Sequence, residues 1–255
     1  MKIAITREVS REIVHCELTH LVRNPIDIER ARAQHAQYES ALKSLGLAVL
    51  SLPEEPTLGD SVFVEDTALV LDECAIITRP GADSRKPETE SIAKILAPYR
   101  KLFFIDPPAR VDGGDILRVG KNIYVGLSTR SDTNAIEQMQ EFLEPYGYQV
   151  HGVTVTGCLH LKSAVTQVNE KILLINSAWV DRKNFPGMEF IEIESSEPYA
   201  ANVVMIGDTI IYPTNFPKTR KKLEDAGIKM VTVDADELAK AEGAVTCCSL
   251  IFEAK

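Results

Sequence analysis

Three kinds of side chain in this sequence are able to do nucleophilic chemistry together. Two adjacent thiols stand near the C-terminus in Val245-Thr246-Cys247-Cys248-Ser249. An imidazole stands in Leu159-His160-Leu161-Lys162-Ser163. Carboxylates stand at Asp66, in Phe63-Val64-Glu65-Asp66, and at Asp112, in Val111-Asp112-Gly113-Gly114-Asp115. A thiolate attacks, a histidine moves protons, and carboxylates hold and orient a cation. Singly, each signal is weak. A lone cysteine in a strand is more often buried filler, a lone histidine is more often structural, and Asp-Gly-Gly more often marks a turn. Cys247 and Cys248 alternate across a predicted strand, so one faces a site and the other the interior. Pattern alone does not say which.

The elements that carry these residues repeat. The unit is a short polar motif, an apolar strand, a turn, a second apolar strand, a polar loop, a helix and a third strand. Motif starts fall near 66, 115, 162, 202 and 247, at intervals of 49, 47, 40 and 45 residues. Helices are predicted over Glu88–Leu96, from Asp132 or Thr133 to Leu143 with Asp132 as cap, and over Lys218–Ala226, stopped by Gly227. The last copy has only its first strand. The N-terminus supplies the rest: strand Lys2–Thr6, helix Ile28–Leu45 and strand Ala48–Leu52. Five similar units predict a ring of blades, with a mixed sheet-and-helix sandwich as the alternative. In a ring, Asp66, Asp112, His160, Asn202 and Cys247, each at the start of a first strand, converge on one end of the axis.

Two arginines occupy matching loops: Arg85 after Pro80-Gly81-Ala82-Asp83-Ser84, and Arg130 after Gly126-Leu127-Ser128-Thr129. Such a pair is able to grip a carboxylate bidentately, although a loop arginine alone is more often just solvated. The net charge of −9 lacks the basic footprint that nucleic acid requires. No run of 18 apolar residues predicts a membrane span. The N-terminal residues lack the apolar stretch of a signal peptide. An odd count of five cysteines without zinc-site spacing predicts reduced thiols and a cytoplasmic protein.

Five stretches together resemble a known family: Asp60–Asp66, Ile76–Arg85, Val111–Asp115, Leu159–Ser163 and Thr246–Ser249. In order and spacing, over nearly the whole chain, they are similar to the dimethylarginine dimethylaminohydrolases of the pentein superfamily. The resemblance implies one catalytic domain over residues 1–255. Its fold would be a five-bladed α/β propeller with pseudo-fivefold ββαβ repeats around a central active-site channel. It implies Cys247 as the nucleophile, His160 as the general acid-base, Asp66 as the partner of the guanidinium and Asp112 as the group that orients His160 or the substrate. Leu18 (in a lid), Asp60, Glu65, Asp66, Arg85, Arg130 and Ala241 would surround the amino acid, with both arginines on its α-carboxylate. The implied reaction hydrolyses dimethylarginine or monomethylarginine to citrulline and the alkylamine through a covalent thiouronium. No cofactor and no catalytic metal are implied. The partner is a small molecule, neither nucleic acid nor membrane, and the protein is a monomer or homodimer.

The chain departs from the family in three places. Ser131-Asp132-Thr133-Asn134 lengthens the loop after Arg130, Ala241 replaces a larger apolar residue, and Cys248 pairs with Cys247 as in animal-like members, in which paired cysteines bind inhibitory zinc. Rival readings are another pentein activity such as arginine deiminase, a non-catalytic binder of arginine derivatives, and a ring-shaped scaffold. An intact cysteine, histidine and carboxylate set speaks against the last two.

Overall fold

The structure is a computed structural model that describes residues 1–254. The chain opens with β1 (Lys2–Arg7), α1 (Ile28–Ser44) and β2 (Ala48–Leu52). The first blade holds β3 (Ala68–Val70), β4 (Cys74–Ile77), α2 (Glu88–Leu96) and β5 (Lys101–Phe104). The second holds β6 (Ile116–Val119), β7 (Asn122–Leu127), α3 (Thr133–Leu143) and β8 (Gln149–Thr154). In the third, a short α4 (Leu161–Ala164) leads into β9 (Val165–Gln167), β10 (Ile172–Ile175) and β11 (Glu189–Glu192). The fourth holds β12 (Val204–Ile206), β13 (Thr209–Pro213), α5 (Pro217–Asp225) and β14 (Lys229–Val233). After α6 (Asp236–Ala239), β15 (Leu250–Glu253) pairs with β1 and completes the fifth blade.

Every blade has the same register logic. The first strand runs antiparallel to the second, and the second runs parallel to the third. A parallel pair needs a long crossover. Helices α2, α3, α5 and α1 supply it in four blades, at the places the sequence pattern predicts. Asp132 caps α3 by accepting from the Ala135 N–H at 3.1 Å. Gly227 takes φ +74° where α5 ends, as a left-handed stop requires. The third blade departs from the repeat. Its crossover is a 3-10 turn over Arg182–Asn184, because Pro186-Gly187 interrupts any helix. Phe185 is buried there, and Trp179 packs against the same apolar cluster.

The core is divided into five apolar clusters, each shared by two neighbouring blades. One joins Ile5 and Phe252 of the closing blade to Ile77 and Ile92 of the first. No blade buries its apolar faces alone, so the ring holds together as a cycle of shared interfaces. The first strands of all five blades line an axial cavity of about 300 Å³. This geometry selects the ring over the sandwich, and the polar motifs do meet at one end of it.

One local expectation is corrected. The motif residues lie in tight helical turns just before the first strands: Val64–Thr67, Gly113–Asp115, α4 and Thr246–Cys248. Cys247 and Cys248 therefore do not alternate across a strand. The extended backbone resumes only at Ser249.

Candidate active site

The turns at the channel end bring Asp66, Asp112 and His160 together. His160 Nε2 lies 3.1 Å from Asp112 Oδ2, and its Nδ1 lies 3.9 Å from Asp66 Oδ1. All three side chains are buried. Asp112 is oriented in turn, because its Oδ1 accepts the Gly81 N–H at 2.7 Å and Arg130 Nη1 stands 3.6 Å from its Oδ2. The Gly113-Gly114 pair makes this closeness possible. A Cβ on Gly114 would stand 2.4 Å from His160 Nδ1 and 2.8 Å from Asp66 Oδ1. The bare Gly114 N–H instead donates to Asp66 Oδ1 at 2.7 Å.

Charge sets the protonation states. Burial alone would lower the His160 pKa, but Asp66, Asp112 and Asp115 outweigh it and hold the imidazole at about 9. Burial alone would raise Asp66, but His160, Arg85 and the Gly114 N–H hold it below the usual carboxylate range. His160 is therefore an imidazolium at neutral pH, ready to donate a proton. Burial, then the carboxylates of Glu65 and Asp66, push the Cys247 thiol far up. At rest Cys247 is a thiol.

Cys247 lines a cleft with Asp60, Asp66, Arg85, Arg130, His160 and Ala241. Only about 10 Å³ is open inside it, so the walls close on one another. Cys248 points away from this cleft, near the carbonyl of Ala244, and burial pushes its thiol up as well. Asn202 fixes the cysteine turn. Its Nδ2 donates to Thr246 Oγ1 at 2.9 Å and its Oδ1 accepts the Thr246 N–H at 3.0 Å. All five ring positions therefore reach one region.

The two arginines are not equivalent. Arg85 is buried and donates to both Glu88 oxygens, to Asp66 Oδ2 at 2.6 Å and to the carbonyls of Asp60 and Phe63. One N–H of its Nη1 is left over. Arg85 is a strut for Asp66. Beside it, burial lifts the Glu88 carboxyl to about 7 even though Arg85 opposes the rise. Arg130 is freer. Its Nη2 donates to Thr19 Oγ1 at 3.1 Å. Asp60 accepts the Glu17 N–H at 2.9 Å, and burial raises its pKa against the pull of Arg85.

Three residues named with the site lie outside the cleft lining: Asp112, which stands behind His160, Leu18 and Glu65. Leu18 is partly buried and packs on the core between the fourth and fifth blades. Glu65 faces the axial cavity, ion-paired with Lys162 and accepting from Thr246 Oγ1 at 2.8 Å. This pair forms a floor between the cleft and the cavity. Burial raises the Glu65 pKa despite Lys162. Asp66, Asp112 and His160 also bring ligand atoms within 4.8 Å of one another, close enough to chelate a metal ion. Asp66 is already held by Arg85 and the Gly114 N–H, and Asp112 by the Gly81 N–H with Arg130 nearby. The arrangement accommodates a diffuse guanidinium more readily than a compact divalent ion that must displace those partners.

Two further residues, unmarked by any motif role, support this set. Asp115 accepts the Leu161 N–H at 2.9 Å and the hydroxyls of Ser128 and Ser131 at 2.7 and 2.6 Å. Burial lifts its carboxyl to about 6 against these bonds. Ser131 also accepts the Asp112 N–H at 3.1 Å, which ties Asp112 to the turn after His160. Glu242 accepts backbone N–H groups from Thr19, His20 and Leu21. Asp115 lies in a motif read for Asp112, and only its burial and its bonds show its role. The bonds of Glu242 reach backbone amides more than 220 residues away, which leave no trace in sequence.

Comparison with known proteins gives one answer. The family described as N,N dimethylarginine dimethylhydrolase, eukaryotic, matches residues 20–253. The chain is 36% identical to the N(G),N(G)-dimethylarginine dimethylaminohydrolase of Pseudomonas aeruginosa, over 97% of its own length and 98% of that protein's. It is 35% identical to the protein of the same name from Streptomyces coelicolor, over 98% and 96%. Among solved structures, it superposes with a TM-score of 0.94 on a mutant of the Pseudomonas aeruginosa enzyme complexed with citrulline, at 35% identity and covering 98% of each chain. The N-terminal domain of the arginine dihydrolase ArgZ, at 19% identity with a TM-score of 0.84 and 98% of each chain covered, shares the fold. The chain belongs to the dimethylarginine dimethylaminohydrolase family.

Proposed function

We propose that this protein hydrolyses dimethylarginine, and monomethylarginine, to citrulline and the alkylamine, with the whole chain acting as one catalytic unit. The observation that carries the reading is the shared cleft. A thiol, an imidazolium and the fixed carboxylate of Asp66 meet there, with Asp112 held against His160 from behind, in a chain whose full-length relatives bear this activity's name. A guanidinium carbon is a poor electrophile because its charge is delocalised. Fixed carboxylates that hold it against sulfur supply orientation that solution lacks.

The protonation states order the steps. A bound guanidinium cation offsets the Glu65 and Asp66 charges that hold the thiol up, so binding favours the Cys247 thiolate. Sulfur bonds to the guanidinium carbon. The dimethylamino nitrogen takes the proton from His160 Nδ1 or Nε2 and leaves as dimethylamine, and a thiouronium remains on Cys247. Neutral His160 then takes a proton from water as the water oxygen bonds to the same carbon. Collapse of this adduct breaks the carbon–sulfur bond, the proton of the added hydroxyl passes to the departing sulfur and restores the Cys247 thiol, and citrulline is released. Asp112 holds the ring of His160 for both transfers. Arg130, with the spare N–H of Arg85, meets the α-carboxylate, and Asp60 faces the α-amino group.

Five free thiols and a net charge of −9 support a cytoplasmic protein without nucleic-acid partners. Among the described residues, no helix is long and apolar enough to cross a membrane. Incubation with dimethylarginine and mass analysis of the products tests the reaction. Citrulline with dimethylamine is expected. Faster release of ammonia from arginine would transfer the chain to a deiminase activity.

A further inference from the structure

The backbone of Thr19–Leu21 continues the segment of Leu18, which the family resemblance reads as a lid. The segment Thr19–Leu21 is held by a single carboxylate: Glu242 Oε2 accepts the Thr19 N–H at 2.9 Å, and Oε1 accepts those of His20 and Leu21 at 2.5 and 2.6 Å. Three successive amides on one carboxylate form an anion-binding nest, here filled from within the chain. Glu242 is also the only non-glycine with positive φ among the described residues, at +57°. The turn that imposes this conformation is fixed from below. A Cβ on Gly243 would stand 2.2 Å from the ring of Phe63, so the chain there fits only as it is.

Glu242 stands between two spaces. With Gly243 and Leu159 it lines the closed catalytic cleft. The same three residues line a cavity of about 280 Å³ on the other side, walled also by His20, Leu21 and Tyr199. The clamp of Glu242 on the segment is the partition between them. The other holds on this segment use groups assigned above to the substrate. Arg130 donates to Thr19 Oγ1, and Asp60 accepts from Glu17, two residues before the segment. A substrate carboxylate and amine compete for both. Glu242 touches neither of those groups and is free to keep its grip while they turn inward.

We propose that Glu242 is the latch of the substrate gate: it opens to join the cleft to the larger cavity, through which the amino acid arrives, and recloses over the bound ligand. Glu242 is thus a positioning residue, acting on substrate through the Thr19–Leu21 backbone. The inference rests on the proposed reaction only for its kinetic readout. Amide hydrogen exchange on the full-length protein tests it without turnover. In E242A, the amides of Thr19–Leu21 should exchange at least about tenfold faster, while those of β1 keep their rates. With dimethylarginine, KM should rise about tenfold and kcat change by less than about threefold. E242Q keeps an accepting oxygen and should fall between. If E242A unfolds, E242Q carries the comparison alone. Unchanged exchange at Thr19–Leu21 in a folded variant, or loss of kcat with KM intact, would overturn the latch. Absence of turnover in the unmutated protein would instead sink the proposed reaction, and the exchange result would still decide the latch.

Discussion

At the scale of single residues, the account separates two neighbouring thiols. Cys247 lines the cleft and Cys248 does not, so Cys247→Ser should lower turnover by at least about a thousandfold. Cys248→Ser should retain most of it. Equal losses in steady-state assays of the two variants would contradict the assignment. The pH dependence follows from His160. Its pKa, about 9 in the fold against an ordinary 6.5, is raised. The proton it must donate is therefore present at neutral pH and lost as pH rises through about 9. The kcat profile should show a basic limb there. Stability carries the same sign: the contribution of the charged imidazole is full below about 6.5 and disappears through 9. A rate that climbs steadily past pH 9 would contradict the acid role. Cys247, His160, Asp66 and Asp112 were legible in sequence because repeat position and family motif marked the same residues. The choice between the thiols was not legible from pattern. Thr246-Cys247-Cys248 has the composition of a strand, yet Asn202 bonds twice to Thr246 and bends these residues into a turn.

At the scale of elements, the tight turns before the first strands do the positioning. Gly114→Ala places a Cβ against His160 and Asp66. Activity should fall by more than about a hundredfold in a protein that still folds, as far-ultraviolet circular dichroism would show. Asp115→Ala strips the acceptor from two hydroxyls and the Leu161 N–H, all in a buried setting. Thermal melting should report a loss of roughly 3 kcal/mol, since each orphaned donor costs about 1–3 kcal/mol. An unchanged Tm would show that water replaces the carboxylate there. Four crossover helices were readable from apolar spacing and end signals, Asp132 and Gly227 among them. The third blade was not: its crossover is a 3-10 turn over Arg182–Asn184, and the repeat spacing does not announce that exchange.

At the scale of the whole molecule, the chain ends close the ring. β15 pairs with β1, and Arg100 donates to the carbonyls of Leu71 and Glu253, which fastens the closing strand to the first blade. Deleting residues 250–255 should therefore abolish cooperative unfolding of the entire ring, visible as a lost thermal transition. A sharp transition in the truncated chain would mean that the blades fold independently. The ring was legible as five motif starts at four similar intervals, but its closure depends on a contact between the two termini that spacing alone only suggests. That closure places Cys247, eight residues from the chain end, against Asp66 and His160. The central claim is that this sulfur becomes covalently bonded to the guanidinium carbon during turnover. Acid-quenching the enzyme within the first turnovers on dimethylarginine, followed by peptide mass analysis, tests it most directly. The account predicts the mass of a thiouronium adduct, dimethylarginine less dimethylamine, on Cys247 and absent from Cys248. Citrulline formed at full rate with no adduct on Cys247, or with the adduct on another residue, would contradict it.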